Sequence, residues 1–327
     1  MKKFINSAET MLAESLDGFA AAHANIVALG GERKFVRRRE PNLQKVALVS
    51  GGGSGHEPLH VGFVGKGMLD AACPGQIFTS PTPDQIVEAA TAVGGESGVL
   101  FIVKNYAGDR MNFEMAAEIF EGKAASIVTN DDVAVDRSTY STGRRGVAGT
   151  LVIEKIVGAA AEKGVDLEGC VQLGNDVNAR TRSIGVALTS CTVPAAGTPT
   201  FALGENEMEM GVGIHGEPGR RRVKLTQAND IADEMISAIV NDYEGRISGP
   251  ALLLINGFGG TPSLELYLMY DAARRILEKR GIAISRSLVG SYVTSLEMAG
   301  CSMTLTMLDD KLTALWDDPV HAAALRW

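Results

Sequence analysis

The stretch from Lys45 to His60, KVALVSGGGSGHEPLH, constrains this chain more than any other. Val46 to Val49 is an apolar run of the kind that forms a buried strand, and it leads straight into Gly51, Gly52, Gly53 and Gly55. Glycine there lets the backbone turn sharply and approach a ligand closely. Pro58 is suited to open a helix, whose first N–H groups would face an oxygen-rich ligand with His56 at the mouth of the turn. The stretch reads as the floor of a site. Its competing reading is a flexible connector with a surface histidine, but connectors seldom follow so apolar a strand.

Familiar signatures fail here on named residues. A phosphate-cradling P-loop needs Lys and then Ser or Thr after its last glycine, and Gly55 is followed by His56 and Glu57. A nucleophile elbow, G-x-S-x-G, needs glycine at 56, as does a dinucleotide fingerprint begun at Gly51. Neither nucleotide binding nor serine hydrolysis is supported.

Beyond the loop, strands and helices alternate. Ser7 to Ala22 carries Met11, Leu12, Leu16 and Phe19 on one helical stripe. Gly75 to Thr79, Gly98 to Val103 and Ser126 to Thr129 read as strands. Ser80-Pro81-Thr82-Pro83-Asp84 caps a helix to about Ala92, and Asn112 to Phe120 is the next helix. Gly146 to Lys163 and Asp166 to Asn178 are helical in pattern. From Ile184 the chain turns glycine-rich and strand-biased, which sets a boundary between 1–182 and 183–327. In the second part Met208, Met210, Val212 and Ile214 alternate with Glu209, Gly211 and Gly213 as a half-buried strand ending at His215. Ala228 to Val240 and the segment before Arg280 are helices, while Ala251 to Ile255, Ile282 to Val289 and Met303 to Leu308 are strands. The fold class is α/β: two α/β domains with mixed, mostly parallel sheets covered by helices. In such sheets ligands sit at the carboxyl ends of strands, which gathers His56, Lys104 and Asp109 at one rim.

At 327 residues the chain can bury a large core without staples. A net charge of −8 argues against nucleic acid or an anionic membrane as the main partner. Cys73, Cys170, Cys191 and Cys301 lack metal or disulfide spacing, so reduced buried thiols are expected. Asn6, Ser7 and Glu9 interrupt any signal-like apolar segment, and no run approaches the ~20 apolar residues of a membrane span. A cytoplasmic location is the expectation.

Two of the five histidines, His56 and His215, sit at glycine turns after strands. His60, flanked by Leu59 and Val61, reads as a packed or surface residue, and no metal site is expected. His215 is either a functional group or a hydrogen-bonded strand end. Asp109 is either functional or the N-cap of the following helix, and Lys104 is either a pocket residue or a solvated strand end.

GGGSGHEP at Gly51 to Pro58, ACPGQIFTSPTPDQI at Ala72 to Ile86, KNYAGD at Lys104 to Asp109, CTVPAAG at Cys191 to Gly197 and EMEMGVGIHGEPG at Glu207 to Gly219 occur in that order. Together they resemble the dihydroxyacetone kinase family, specifically its substrate-binding K subunit, over nearly the full chain. The resemblance implies two α/β domains and a homodimer. It implies that His215 captures the ketone as a covalent hemiaminal, that Asp109 is the base for the hydroxyl receiving phosphate, and that His56 assists by hydrogen bonding. Gly53, Ser54, Gly55 and Lys104 are implied to line the pocket. Covalent capture at a carbonyl would reject polyols such as glycerol.

No cofactor is expected in this chain. ATP, or ADP recharged by a phosphotransferase-system M-type protein, is expected with Mg in a separate nucleotide-binding L-type subunit. Ala107 and Gly257 depart from common family residues, and the segment from Tyr243 to Pro250 is shorter than in some members. A longer ketose such as erythrulose, or a ketone-sensing transcriptional co-activator role, therefore stands as the alternative.

Overall fold

The computed structural model describes residues 2–134, 143–217 and 219–327. The first part contains α1 (Met11–Ala22), β1 (Val27–Gly30), β2 (Phe35–Arg38), β3 (Ala47–Ser54), β4 (Gly65–Lys66) and β5 (Ala71–Ile77). It continues with α2 (Pro83–Val93), β6 (Val99–Lys104), α3 (Ala107–Ile119), β7 (Ala124–Thr129), α4 (Gly149–Glu162) and α5 (Leu167–Ala179). Then come β8 (Thr181–Ala187), β9 (Glu207–Met210), β10 (Arg221–Lys224), α6 (Ala228–Asp242), β11 (Ala251–Gly257), α7 (Ser263–Lys279), β12 (Ile284–Gly290) and β13 (Gly300–Met307). Helix α8 (Asp310–Asp317) and β14 (His321–Ala322) close the chain.

Two six-stranded sheets result, ordered β1-β2-β5-β3-β6-β7 and β10-β9-β8-β13-β11-β12. Parallel pairing is concentrated in the first, where β5, β3, β6 and β7 run together. In the second sheet β11 and β12 are parallel and the other neighbours antiparallel. The mixed α/β class therefore stands, and the parallel core surrounds the glycine stretch.

That stretch differs from its sequence reading. β3 does not stop at the glycines but runs through them, with Gly51, Gly52 and Gly53 in register beside Cys73, Pro74 and Gly75 of β5. The chain bends only at Gly55, whose φ of +101° is left-handed backbone that favours glycine. No helix follows Pro58; a short 3₁₀ turn spans Val61–Phe63 instead, so the expected helix-start donors are absent.

Local rules hold better at α2. Thr82 and Gln85 form a capping box behind Pro83, satisfying donors that the first helical turn leaves orphaned. Helix α3 begins at Ala107, five residues before the expected Asn112, and its N-cap is Tyr106. Asp109 is therefore not a cap but an acidic residue in the first turn, where the helix dipole favours negative charge. In the second part β9 ends at Met210, because Gly211 turns the chain with φ +81°, so His215 lies in a turn rather than at a strand end.

Helix α4 ties the halves together. Its residues from Gly149 to Ala161 are all buried, and it touches β3 and β6 of the first sheet as well as β8 of the second. Gly158 lets α4 lie close to the turn after β4, where a Cβ would stand 2.6 Å from the Gly67 carbonyl oxygen and the Met68 Cα. All four cysteines are buried free thiols. Among the described residues no helix is long and apolar enough to cross a membrane.

Candidate active site

The ends of β3 and β6 and the first turn of α3 meet two loops from the second part of the chain. One is the segment 292–296 after β12. Its Leu296 N–H donates to the Gly55 carbonyl (2.8 Å), and its Thr294 N–H donates to the His56 carbonyl (3.2 Å). The other is the turn carrying His215. Between them opens a cavity of about 720 Å³, lined by Gly53, Phe78, Ser80, Asp109, His215 and Glu217 among others.

His215 is partly exposed, with 19% of its side chain accessible. The Glu217 carboxylate accepts from its backbone N–H (3.0 Å) and lies 3.2 Å from Nδ1. A carboxylate can only accept, so Nδ1 donates, and in the neutral form of the ring it is Nε2 that carries the lone pair. Burial alone would raise the Glu217 carboxyl, but the hydrogen bond from His215 and the charges of His215 and Arg145 outweigh it and bring it to about 2. Arg145 is itself buried, paired with Asp132 at 2.6 Å.

His56 is oriented from the opposite side. Its Nδ1 is 2.8 Å from the Thr294 carbonyl, so that nitrogen donates and Nε2 is left a buried acceptor with no protein partner. Burial first, then the positive charges of His215 and Lys104, holds its imidazole well below the usual histidine range. Phe78 stacks on the ring (5.0 Å between centroids, 16°), and His215 meets it edge-on at 4.7 Å. Tyr106 packs edge-on against the His215 ring at 4.5 Å, which fixes the ring plane from a third direction.

Asp109 accepts a short hydrogen bond from the Ser80 hydroxyl and lies 3.4 Å from the Lys104 ammonium. Lys104 is not a solvated strand end but fully buried. Its Nζ also donates to the Gly51 carbonyl (3.2 Å) and reaches His60 Nε2 (2.9 Å). Gly52 leaves room for it: a Cβ there would stand 2.1 Å from Nζ and would have to displace the ammonium. Of the other expected pocket residues, Gly53 faces the cavity. The Ser54 hydroxyl is turned away, donating to the Gly75 carbonyl at 2.7 Å, and Gly55 makes the bend before His56.

His56, Lys104 and Asp109 thus converge at one rim, as the strand-end rule predicted, and the turn carrying His215 joins them there. Sequence reasoning missed Glu217, Ser80, Phe78, Tyr106, Thr294, His60 and Glu154 as site neighbours. The first had a signal: both site histidines are followed closely by a glutamate and a proline, HEP and HGEP. Among the described residues no group of three or more His, Cys, Asp or Glu side chains is arranged to hold a metal ion.

Fold and site define a two-sheet α/β protein with a cleft carrying a partly exposed histidine beside a buried carboxylate. The chain belongs to the Dak1 domain family, which matches residues 17–324. It is 48% identical to the dihydroxyacetone-binding subunit DhaK of the PEP-dependent dihydroxyacetone kinase of Escherichia coli, covering 100% of this chain and 99% of that one. Among solved structures, a dihydroxyacetone kinase operon co-activator superposes with TM-score 0.90 at 34% identity, covering 95% of this chain and 97% of the other. The C. freundii dihydroxyacetone kinase in complex with AMP-PNP and Mg2+ gives the same score and identity, covering 99% of this chain, which spans 61% of that enzyme.

Proposed function

We propose that this chain is the ketone-binding subunit of a dihydroxyacetone kinase. The observation that carries the reading is the placement of His215, whose Nδ1 donates to Glu217 so that the Nε2 of the neutral ring is the nitrogen left to attack in the cleft that also holds Asp109. Nε2 adds to the ketone carbon, and the C=O π pair moves to oxygen, which takes a proton from water. The cationic ring then passes its Nδ1 proton by way of Glu217 to the hydroxide left behind, which leaves a neutral hemiaminal and regenerates the water. His56 Nε2 accepts a hydrogen bond from a substrate hydroxyl. Capture pins the substrate so that its terminal hydroxyl can lose its proton to Asp109 as the oxygen attacks the incoming phosphoryl group.

The donor belongs to a second, L-type subunit carrying nucleotide with Mg. A three-carbon ketone fills only part of a 720 Å³ cleft, which leaves room for the donor to approach. Sequence kinship with a subunit named for dihydroxyacetone binding supports this substrate. A ketone-sensing co-activator is the second reading, favoured by the equal structural match to the operon co-activator.

Carbon-13 NMR of labelled ketone and a coupled kinase assay test both. The carbonyl signal is expected to move to the tetrahedral region with the wild type and not with His215→Ala. Turnover is expected only when an L-type subunit is added. An adduct without turnover under that condition supports the co-activator reading, while turnover by the chain alone refutes the subunit reading.

A further inference from the structure

Behind the site lies a set of buried ionisable groups that the chemistry above does not use. Lys104 offers three protons and meets three acceptors: the Gly51 carbonyl, Asp109 and His60 Nε2. An ammonium can only donate, so His60 Nε2 must carry a lone pair and its proton must sit on Nδ1. Glu154 Oε1, on α4, receives that proton at 2.7 Å. The Ser50 hydroxyl lies 3.1 Å from the same nitrogen, but its own hydrogen goes to the Ile102 carbonyl at 2.6 Å, so it too accepts there. The donor directions agree along the whole chain.

We propose that His60 and Glu154 are positioning residues for the phosphoryl-acceptor site, holding the Lys104 ammonium against Asp109 through this buried chain; the role rests on the kinase-subunit reading above. A lysine, a histidine and a glutamate buried together cost desolvation that apolar side chains of the same volume would avoid, so stability alone does not account for them. Their placement does: the chain ends on the carboxylate of Asp109, and the glycine at 52 leaves space for the ammonium.

The protonation states are consistent with it. Burial, then the charge of Lys104, holds His60 well below the usual histidine range, which keeps the ring neutral. Burial likewise pushes the Glu154 carboxyl up to about 8. Its proton then resides on Oε2, which has no other partner, and Oε1 remains an acceptor.

The test compares wild type, His60→Ala, Glu154→Leu and Glu154→Gln, assembled with an L-type subunit and its phosphoryl donor, alongside nitrogen-15 NMR of the chain alone. In the first two variants kcat is expected to fall about 10- to 100-fold, the scale of a misplaced reacting group, while KM for the ketone and the His215 adduct change less than about threefold. Glu154→Gln keeps an acceptor oxygen and is expected to recover at least about tenfold over Glu154→Leu. NMR is expected to show His60 neutral and protonated on Nδ1 at about pH 7. A folded His60→Ala with wild-type kcat overturns the proposal, as does a loss matched by loss of the adduct. So does an Nε2-protonated or cationic His60. A wild-type assembly that gives no turnover refutes the kinase reading instead, and the NMR tautomer then decides the buried chain by itself, as it does if neither apolar variant folds.

Discussion

Replacing Asp109 by Asn separates binding from chemistry. Because Asp109 lies inside the first turn of α3 and not at its cap, the substitution leaves capping aside and acts on two contacts, the Ser80 hydroxyl and the Lys104 ammonium at 3.4 Å. Asparagine keeps one oxygen for either contact but turns an NH₂ toward the other and removes the charge. Fully breaking a buried ion pair costs about 3–5 kcal/mol. Lys104 retains Gly51 and His60, so the expected loss here is nearer 1–3 kcal/mol, roughly 1.5–4.5 °C in Tm for a chain of this size. The chemical cost is larger. An amide cannot take the hydroxyl proton, and kcat is expected to fall by roughly 10² to 10⁴, about 3 to 5 kcal/mol of barrier. The adduct at His215 should survive, since the proposed ketone capture uses a different residue. The assay measures kcat with a saturating L-type subunit well below the variant's Tm, with the carbon-13 adduct signal recorded in parallel. Turnover within threefold of wild type in a folded variant would remove Asp109 from the mechanism and leave His56 as the base.

Glu217→Gln removes the charge that, in the proposed mechanism, steadies the His215 ring as it becomes cationic during attack; ketone affinity, read by NMR titration, is expected to weaken about 10- to 100-fold, and an unchanged dissociation constant counts against that role. Gly52→Ala would push a Cβ to 2.1 Å from the Lys104 ammonium. It is expected to destabilise by about 1–3 kcal/mol and to lower kcat about 10- to 100-fold; intact turnover would show that the ammonium's position is immaterial. Glu154 gives a pH signature. Its folded carboxyl titrates at about 8 against about 4.3 in the unfolded chain, so the folded state holds more protons between those values and stability falls as pH rises through them. The slope is at most about 1.4 kcal/mol per pH unit, and Glu154→Gln should lack it. Urea unfolding at several pH values checks this, and parallel curves for the two proteins would contradict the buried, protonated carboxyl.

How much of this was legible beforehand depends on the range of the interaction. Val46 to Val49, Gly98 to Val103 and Ala251 to Ile255 read as strands because apolar runs between turn residues need only local patterning, and all three are strands here. The α2 start was equally local, since capping is decided within four residues. Strand ends likewise brought His56, Lys104 and Asp109 to one rim, because the rule for parallel sheets needs only element order.

The glycine stretch shows where that reach ends. Gly51 to Gly53 look like a turn in isolation, yet they stay extended because β5 pairs with them and because Lys104, about fifty residues later in the chain, needs the space above Gly52. His60 looked like a packed or surface histidine, and nothing nearby in sequence reveals Lys104 or Glu154 as its partners. The same holds for the grip of Thr294 on His56, which crosses 238 positions. From the residues alone come the elements, the turn glycines and the candidate groups. Tertiary structure decides which nitrogen of His56 and of His60 donates, because their acceptors, the Thr294 carbonyl and the Glu154 carboxyl, come from 238 and 94 positions away.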